Sequence, residues 1–285
     1  MGDSKDLDAK STPNEALQAR YLNNNSNNTP PIDASNPVLE TIWRHKSIRH
    51  FLPSPLPDDA LETLIASAQS ASTASMLQTW SVVAVQDPSR KAAAAQLSGN
   101  QDFIRQAPLT LFFCADLHRL TNVSEWEGQA GTALEKTDMF IMSTIDAAVA
   151  AQNVALAAES LGLGICYVGG ARNNAAELCE LLALPPRVVA LFGMAVGWPD
   201  LAAQAPDIKP RLPMQEVLHR ERWDGSHQRE NVERYNASLG AFYEWHQMFG
   251  RHTWAKFVAG MLASGELDGR ERIGQVLRDR GFGLQ

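Results

Sequence analysis

Residues 138–161, DMFIMSTIDAAVAAQNVALAAESL, form the longest apolar stretch, and as a helix they would run about 36 Å. Asp146, Gln152, Asn153 and Glu159 interrupt it too often to leave the roughly 18 uncharged residues of a membrane span. A helix apolar nearly all round is otherwise buried, inside a core or between subunits. Ala147, Ala148, Ala150, Ala151 and Ala155 are small enough to let another helix approach closely. We therefore expect this helix at a homodimer interface rather than wholly inside one core.

Around it, strand and helix patterns alternate. SVVAVQ, LTLFFCA, GLGICYVGG and RVVALFGMAVGWP read as short buried strands rich in branched and aromatic residues. VLETIWR, DALETLIASAQSA, SRKAAAAQL and NNAAELCELLAL carry helical periods, with Asp58 expected to cap the second of these. From residue 214 to 285 the pattern is a helical extension with polar turns. The class is α/β or mixed α+β. Residues 1–36, with NNNSNN and no apolar period, read as a disordered leader dispensable for folding, which leaves 37–285 as one body. The leader has neither a signal-peptide core nor, with Asp6 at the sixth position, a myristoylation pattern.

The formal net charge of −7 argues against general attraction to nucleic acid or to an anionic membrane. Cys114, Cys166 and Cys179 show no metal-ligand or CxxC spacing, and we read them as reduced structural thiols of a cytoplasmic protein. The spacing of His246 and His252 does not fit a helical metal pair, and no metal is expected. GxSxG, HExxH, Walker and dinucleotide fingerprints are all missing.

Three segments carry candidate chemistry. His45-Lys46-Ser47-Ile48-Arg49 gathers basic groups and a hydroxyl at a helix end, suited to a phosphate ester or equally to a solvated helix terminus. Lys209-Pro210-Arg211 presents two cations on proline-stiffened backbone, in a form also common in surface turns. Tyr167-Val168-Gly169-Gly170 ends a strand in glycines, which permits either close approach of a ligand to the backbone or a plain tight turn.

In order, HKSIRHF, ASTASMLQTWSVVAVQD, SGNQDFIRQAP, LFFCAD, AQNVALAAESLGLGICYVGGARNN, LFGMAVGWP and KPRLP resemble the nitroreductase superfamily, within it the larger oxygen-insensitive NADPH nitroreductases and flavin reductase P. The likeness runs from about Leu39 to Trp254. It implies an α+β nitroreductase-like fold with a central mixed sheet, and a homodimer whose two flavin sites are each built from both chains. It also implies FMN as cofactor, NADPH as electron donor, and ping-pong transfer to small planar acceptors such as nitroaromatics, quinones or flavins. His45, Lys46, Ser47 and Arg49 fall on the family's first FMN segment, and Lys209 and Arg211 on its late phosphate segment. Thr73 and Gln101 match flavin contacts, and the backbone from Tyr167 through Val168 and Gly169 to Gly170 would face the ring. The flavin itself carries the chemistry, so no catalytic side chain is assigned; Arg49 is nominated to tune its electronics. Two departures stand out. Lys46 replaces the usual arginine, keeping charge but not the planar fork. In EWHQMFGRHTW, His246 stands where an arginine for the NADPH 2′-phosphate is expected, and Arg251 remains as the other candidate. Alternatives are a dedicated NADPH–FMN reductase and a non-catalytic FMN-binding dimer.

Overall fold

The computed structural model describes residues 13–21, 36–203 and 208–285. The single body expected over 37–285 divides instead into two compact units. The larger comprises residues 47–204 and 265–285; the smaller comprises 1–46 and 205–264.

In the larger unit, β1 (Trp80–Val85), β2 (Leu109–Asp116), β3 (Gly164–Val168) and β4 (Val188–Gly197) pair in the order β1-β2-β4-β3. All three pairings are antiparallel, so the mixed sheet expected from the resemblance is not found among the described residues. The reason is topological. β2 and β3 run in the same direction, but β4 sits between them and is antiparallel to both. Every residue of β2 is buried, as its continuous apolar run requires of a central strand.

The helices of this unit are α3 (Ala60–Gln69), α4 (Pro88–Leu97), α5 (Asp102–Gln106), α6 (His118–Trp126), α7 (Thr137–Ser160), α8 (Ala175–Leu181) and α12 (Ile273–Asp279). α3 begins two residues after Asp58; Asp59 holds the cap position and makes no side-chain cap bond. α7 packs on α3 and on the sheet through Ala147, Ala150, Ala151, Val154, Ala155 and Ala158. Most of the alanines expected at a subunit interface therefore face this chain's own core. What α7 leaves uncovered is a stripe spaced by four, Ile141, Ile145 and Val149, exposed by 50%, 54% and 39%. By length and composition α7 passes for a membrane span, yet 44% of its most apolar window is buried within the protein.

The helical extension expected over 214–285 is divided. Its end, α12, returns to the larger unit, where Leu277 and Phe282 join the main core and Phe282 meets Phe140 edge-on at 5.4 Å. Arg187 N–H donates to Arg280 O at 2.7 Å, and the Arg280 guanidinium binds the Val188 carbonyl at 3.0 Å.

The smaller unit holds α1 (Pro13–Arg20), α2 (Pro37–Arg44), α9 (Met214–Val217), α10 (Gln228–Trp245) and α11 (Trp254–Ala263). α1 lies within the supposed leader. Ala16 and Leu17 are buried, and α1 packs on α2. Composition alone misses this because two buried apolar residues suffice to dock one short helix. Residues 1–12 and 22–35 lie outside the described residues.

Candidate functional site

In the larger unit, residues 48–52 are sewn to β3 at Ile165 and to the chain just after β4 at Trp198 and Asp200. Ile48 N–H donates to Ile165 O at 2.8 Å, Leu52 N–H to Trp198 O at 2.9 Å, and Asp200 N–H to His50 O at 2.9 Å. Gly164 makes this possible, because a Cβ there would stand 2.6 Å from the Ile48 side chain. Ser47 and Arg49 flank Ile48, and both side chains act on Cys166. Burial pushes the Cys166 thiol up, while the Arg49 charge and the Ser47 hydroxyl pull against that shift. Both groups therefore lie near Cys166 of β3.

Gln101 arrives from a separate turn. Its carboxamide donates to Ser98 O at 2.8 Å, and this turn presses against Gly170. A Cβ on Gly170 would run into the Ser98 carbonyl, so only glycine lets the 98–101 turn and the end of β3 meet. Gly169 is different. A Cβ there would find only the Arg172 guanidinium, 3.9 Å away, so its backbone stands open to a flat group. Val168 is buried beneath. The Tyr167 side chain turns to Phe192, with centroids 5.7 Å apart, and its hydroxyl meets Gln152 at 3.4 Å. Burial, with the Glu159 charge, pushes the phenol up to about 12, so it stays protonated near neutrality and is no base.

A guanidinium and a hydroxyl near Cys166 of β3, with a carboxamide and the open Gly169 backbone just past the strand's end, thus lie along one sheet edge. That donor set fits the carbonyl and imide edge of a flavin ring, and the open Gly169 backbone fits its flat face.

Thr73 is not brought to this group by any described contact. Its hydroxyl donates to Asp146 at 2.6 Å and accepts from Gln78 N–H at 2.9 Å. Asp146, 2% exposed on α7, also accepts from Ala74 N–H at 2.9 Å and from Thr79 through its N–H at 3.1 Å and its hydroxyl at 3.0 Å. These bonds fold a loop in which Ser75, Met76 and Gln78 all take positive φ, near +50 to +60°. The sequence marked Asp146 only as an interruption of an apolar helix. A lone acid amid alanines is the signal that could have exposed its role.

In the smaller unit, Arg20 ties together the two basic segments. Its guanidinium donates to Trp43 O at 3.3 Å and to His45 O, while its own carbonyl accepts from Arg211 N–H at 2.8 Å. Tyr235 of α10 steadies the second segment through Pro210 O at 3.3 Å. Lys209 and Arg211 are exposed, and His45 and Lys46 are half-buried. Arg20 was missed because it lies in a segment read as leader. His246 closes α10 with its ring 4.4 Å from Phe242, while Arg251 is exposed in the turn before α11; no described contact joins the two.

The sequence profile of the "Nitroreductase family" matches residues 42–198, and that of the "Nitroreductase family, C-terminal domain" matches 209–285. The chain is 38% identical over 251 residues to an FMN reductase (NADPH) of Bacillus subtilis, covering 87% of this chain and 98% of that protein. It is 38% identical over 207 residues to an oxygen-insensitive NADPH nitroreductase of Salmonella typhimurium, covering 73% and 82%. Among solved structures, B. megaterium NfrA1 superposes with a TM-score of 0.82 at 40% identity, over 87% of this chain and all of that one. The NADPH:FMN oxidoreductase of Vibrio harveyi, complexed with NAD+, gives 0.78 at 36% identity, over 88% of this chain and all of that one. With both profiles together spanning most of the sequence, the chain belongs to the nitroreductase family.

Proposed function

We propose that this protein is an FMN-dependent oxidoreductase that takes electrons from NADPH and passes them to flavins, nitroaromatics or quinones in a ping-pong cycle. The observation that carries the reading is the meeting of Ser47, Arg49, Gln101 and the Gly169–Gly170 backbone at the β3 edge, in a chain whose relatives are named for NADPH and FMN.

FMN, when bound, supplies the redox chemistry. The chain's own part is positioning and electrostatics. Gln101 and the glycine backbone orient the ring by hydrogen bonds, and the open Gly169 leaves one side accessible to a flat acceptor. Arg49 keeps a fixed positive charge beside the site, which favours added electrons. In the smaller unit, Lys46, Lys209 and Arg211 offer the cations a phosphate ester requires, on segments held by Arg20. His246 and Arg251 remain our candidates for the NADPH 2′-phosphate. The stripe Ile141, Ile145 and Val149, with exposed Met76 in the Asp146-held loop, supports a homodimer that covers it. In such a dimer the loop carrying Thr73 would serve the partner's flavin. Three buried free cysteines suit a reducing, cytoplasmic location. The name of the Bacillus subtilis relative favours free flavin among the acceptors.

The test is to purify the protein, record its visible spectrum, and follow NADPH and NADH oxidation with nitrofurazone, a quinone and FMN as acceptors. A colourless protein that cannot be loaded with FMN, or a yellow one that oxidises neither nucleotide, refutes the proposal.

A further inference from the structure

The smaller unit carries an open pocket of about 480 Å³ between the chain after α9 and the start of α10, lined by His219, Arg220, Arg222, Asp224, His227 and Arg234 among others. Its two carboxylates on this face are already engaged. Asp224 accepts from Ser226 N–H at 2.9 Å, and Glu230 lies 3.6 Å from His227. The three guanidiniums are not. Arg220 and Arg222 have no side-chain partner among the described residues, and Arg234 has only a 3.5 Å contact with Asn231.

Three guanidiniums against two carboxylates leave the lining of this pocket net positive. The backbone enforces this rather than relieving it. Arg222 N–H donates to Arg220 O at 2.7 Å across Glu221, whose φ is +63°. A three-residue turn with positive φ at a non-glycine centre is rare and strained, and here it joins the backbones of two arginines that line the pocket. Asp224 N–H donates to His219 Nδ1 at 3.2 Å, which leaves the Nε2 of that ring as a further donor. α10, 18 residues long, begins at Gln228 and adds the positive end of its dipole. On the same turn, the Trp223 indole is 71% exposed and lies across Gly225, where a Cβ would collide with it.

We infer that this cavity binds a phosphate-bearing ligand. Planar guanidinium forks match phosphate oxygens two at a time, and the cavity has the size of a small-molecule site. The exposed indole suits a flat ring carried by such a ligand. Free diphosphate and a nucleotide phosphate share this chemistry. The inference does not depend on the flavin reading, since none of these residues is assigned to FMN.

The experiment titrates the FMN-loaded full chain with inorganic diphosphate and, separately, with adenosine 2′,5′-bisphosphate by calorimetry, in the parent protein and in Arg222→Ala, Arg234→Ala and Arg234→Lys. The parent is expected to bind at least one ligand, and each alanine to weaken it about tenfold or more. Arg234→Lys should fall between, and all variants should keep their flavin spectrum. Bisphosphate binding together with a raised KM for NADPH in the variants assigns the site to the electron donor. Diphosphate binding with KM unchanged assigns it to a separate phosphate ligand. Both support the inference. Failure of the parent to bind either ligand at millimolar concentration, or equal binding by parent and alanine variants, overturns it. A protein that never takes up FMN but still binds diphosphate would sink the proposed function and leave this site standing.

Discussion

Asp146→Ala is the most informative single change. The carboxylate accepts four hydrogen bonds, two from backbone N–H groups of Ala74 and Thr79 and two from the hydroxyls of Thr73 and Thr79. The hydroxyls can rotate to other acceptors; the two N–H groups cannot. Each buried donor left without a partner costs about 1–3 kcal/mol, so the substitution should cost about 2–6 kcal/mol. At this size that lowers the melting temperature by roughly 3–10 °C. Thr73→Val removes one hydroxyl bond and should cost only about 1 kcal/mol. Burial raises the Asp146 pKa, but the donors outweigh it and hold the carboxyl below its ordinary value. A lowered folded pKa contributes stability that is present above the unfolded value and lost as pH falls through the folded one. The gap between parent and Asp146→Asn should therefore be full above about pH 4 and close in more acid solution. Differential scanning calorimetry with saturating FMN, repeated across pH, measures both effects. If Asp146→Ala melts within a degree or two of the parent, the carboxylate does not hold this loop and the reasoning fails.

Arg49→Ala with Arg211→Ala should weaken FMN binding about tenfold or more per residue while far-ultraviolet dichroism stays unchanged; full flavin occupancy after gel filtration would displace the assigned residues. A chain beginning at Asn36, or the single change Arg20→Ala, should melt earlier and release FMN more readily, because Arg20 bonds Trp43, His45 and Arg211; identical melting and flavin retention would show that α1 is idle. Gly170→Ala should cost about 1–3 kcal/mol as the new methyl displaces the Ser98 carbonyl, read by urea unfolding; a neutral result would mean that the 98–101 turn yields freely. Preference for NADPH over NADH, read as a ratio of kcat/KM, should rise with His246→Arg and nearly vanish with Arg251→Ala, and indifference to both would move the 2′-phosphate elsewhere.

What the sequence determined by itself was mostly local. The four strands and the longer helices follow from apolar period and residue type, and the basic segments at 45–49 and 209–211 from composition. Periodicity states which residues share a face, however, and not what covers that face. α7 shows the difference: its alanines and its isoleucines are all apolar, but only packing decided that the alanines meet the sheet and that Ile141 and Ile145 stay outside. Strand order is likewise invisible locally, because β4, the last strand in the chain, pairs with β2 across the intervening β3 segment. The 98–101 turn meets Gly170 through a backbone approach that only the missing Cβ permits, and a lone glycine does not name its neighbour. Arg20 is the clearest case. Three hydrogen bonds to distant backbone make it the link between two basic segments, yet a single arginine among polar residues has no period to reveal it. Such a role exists only once the tertiary structure has brought carbonyls from residues 43 and 45, and an amide from residue 211, within reach of one side chain and its own backbone.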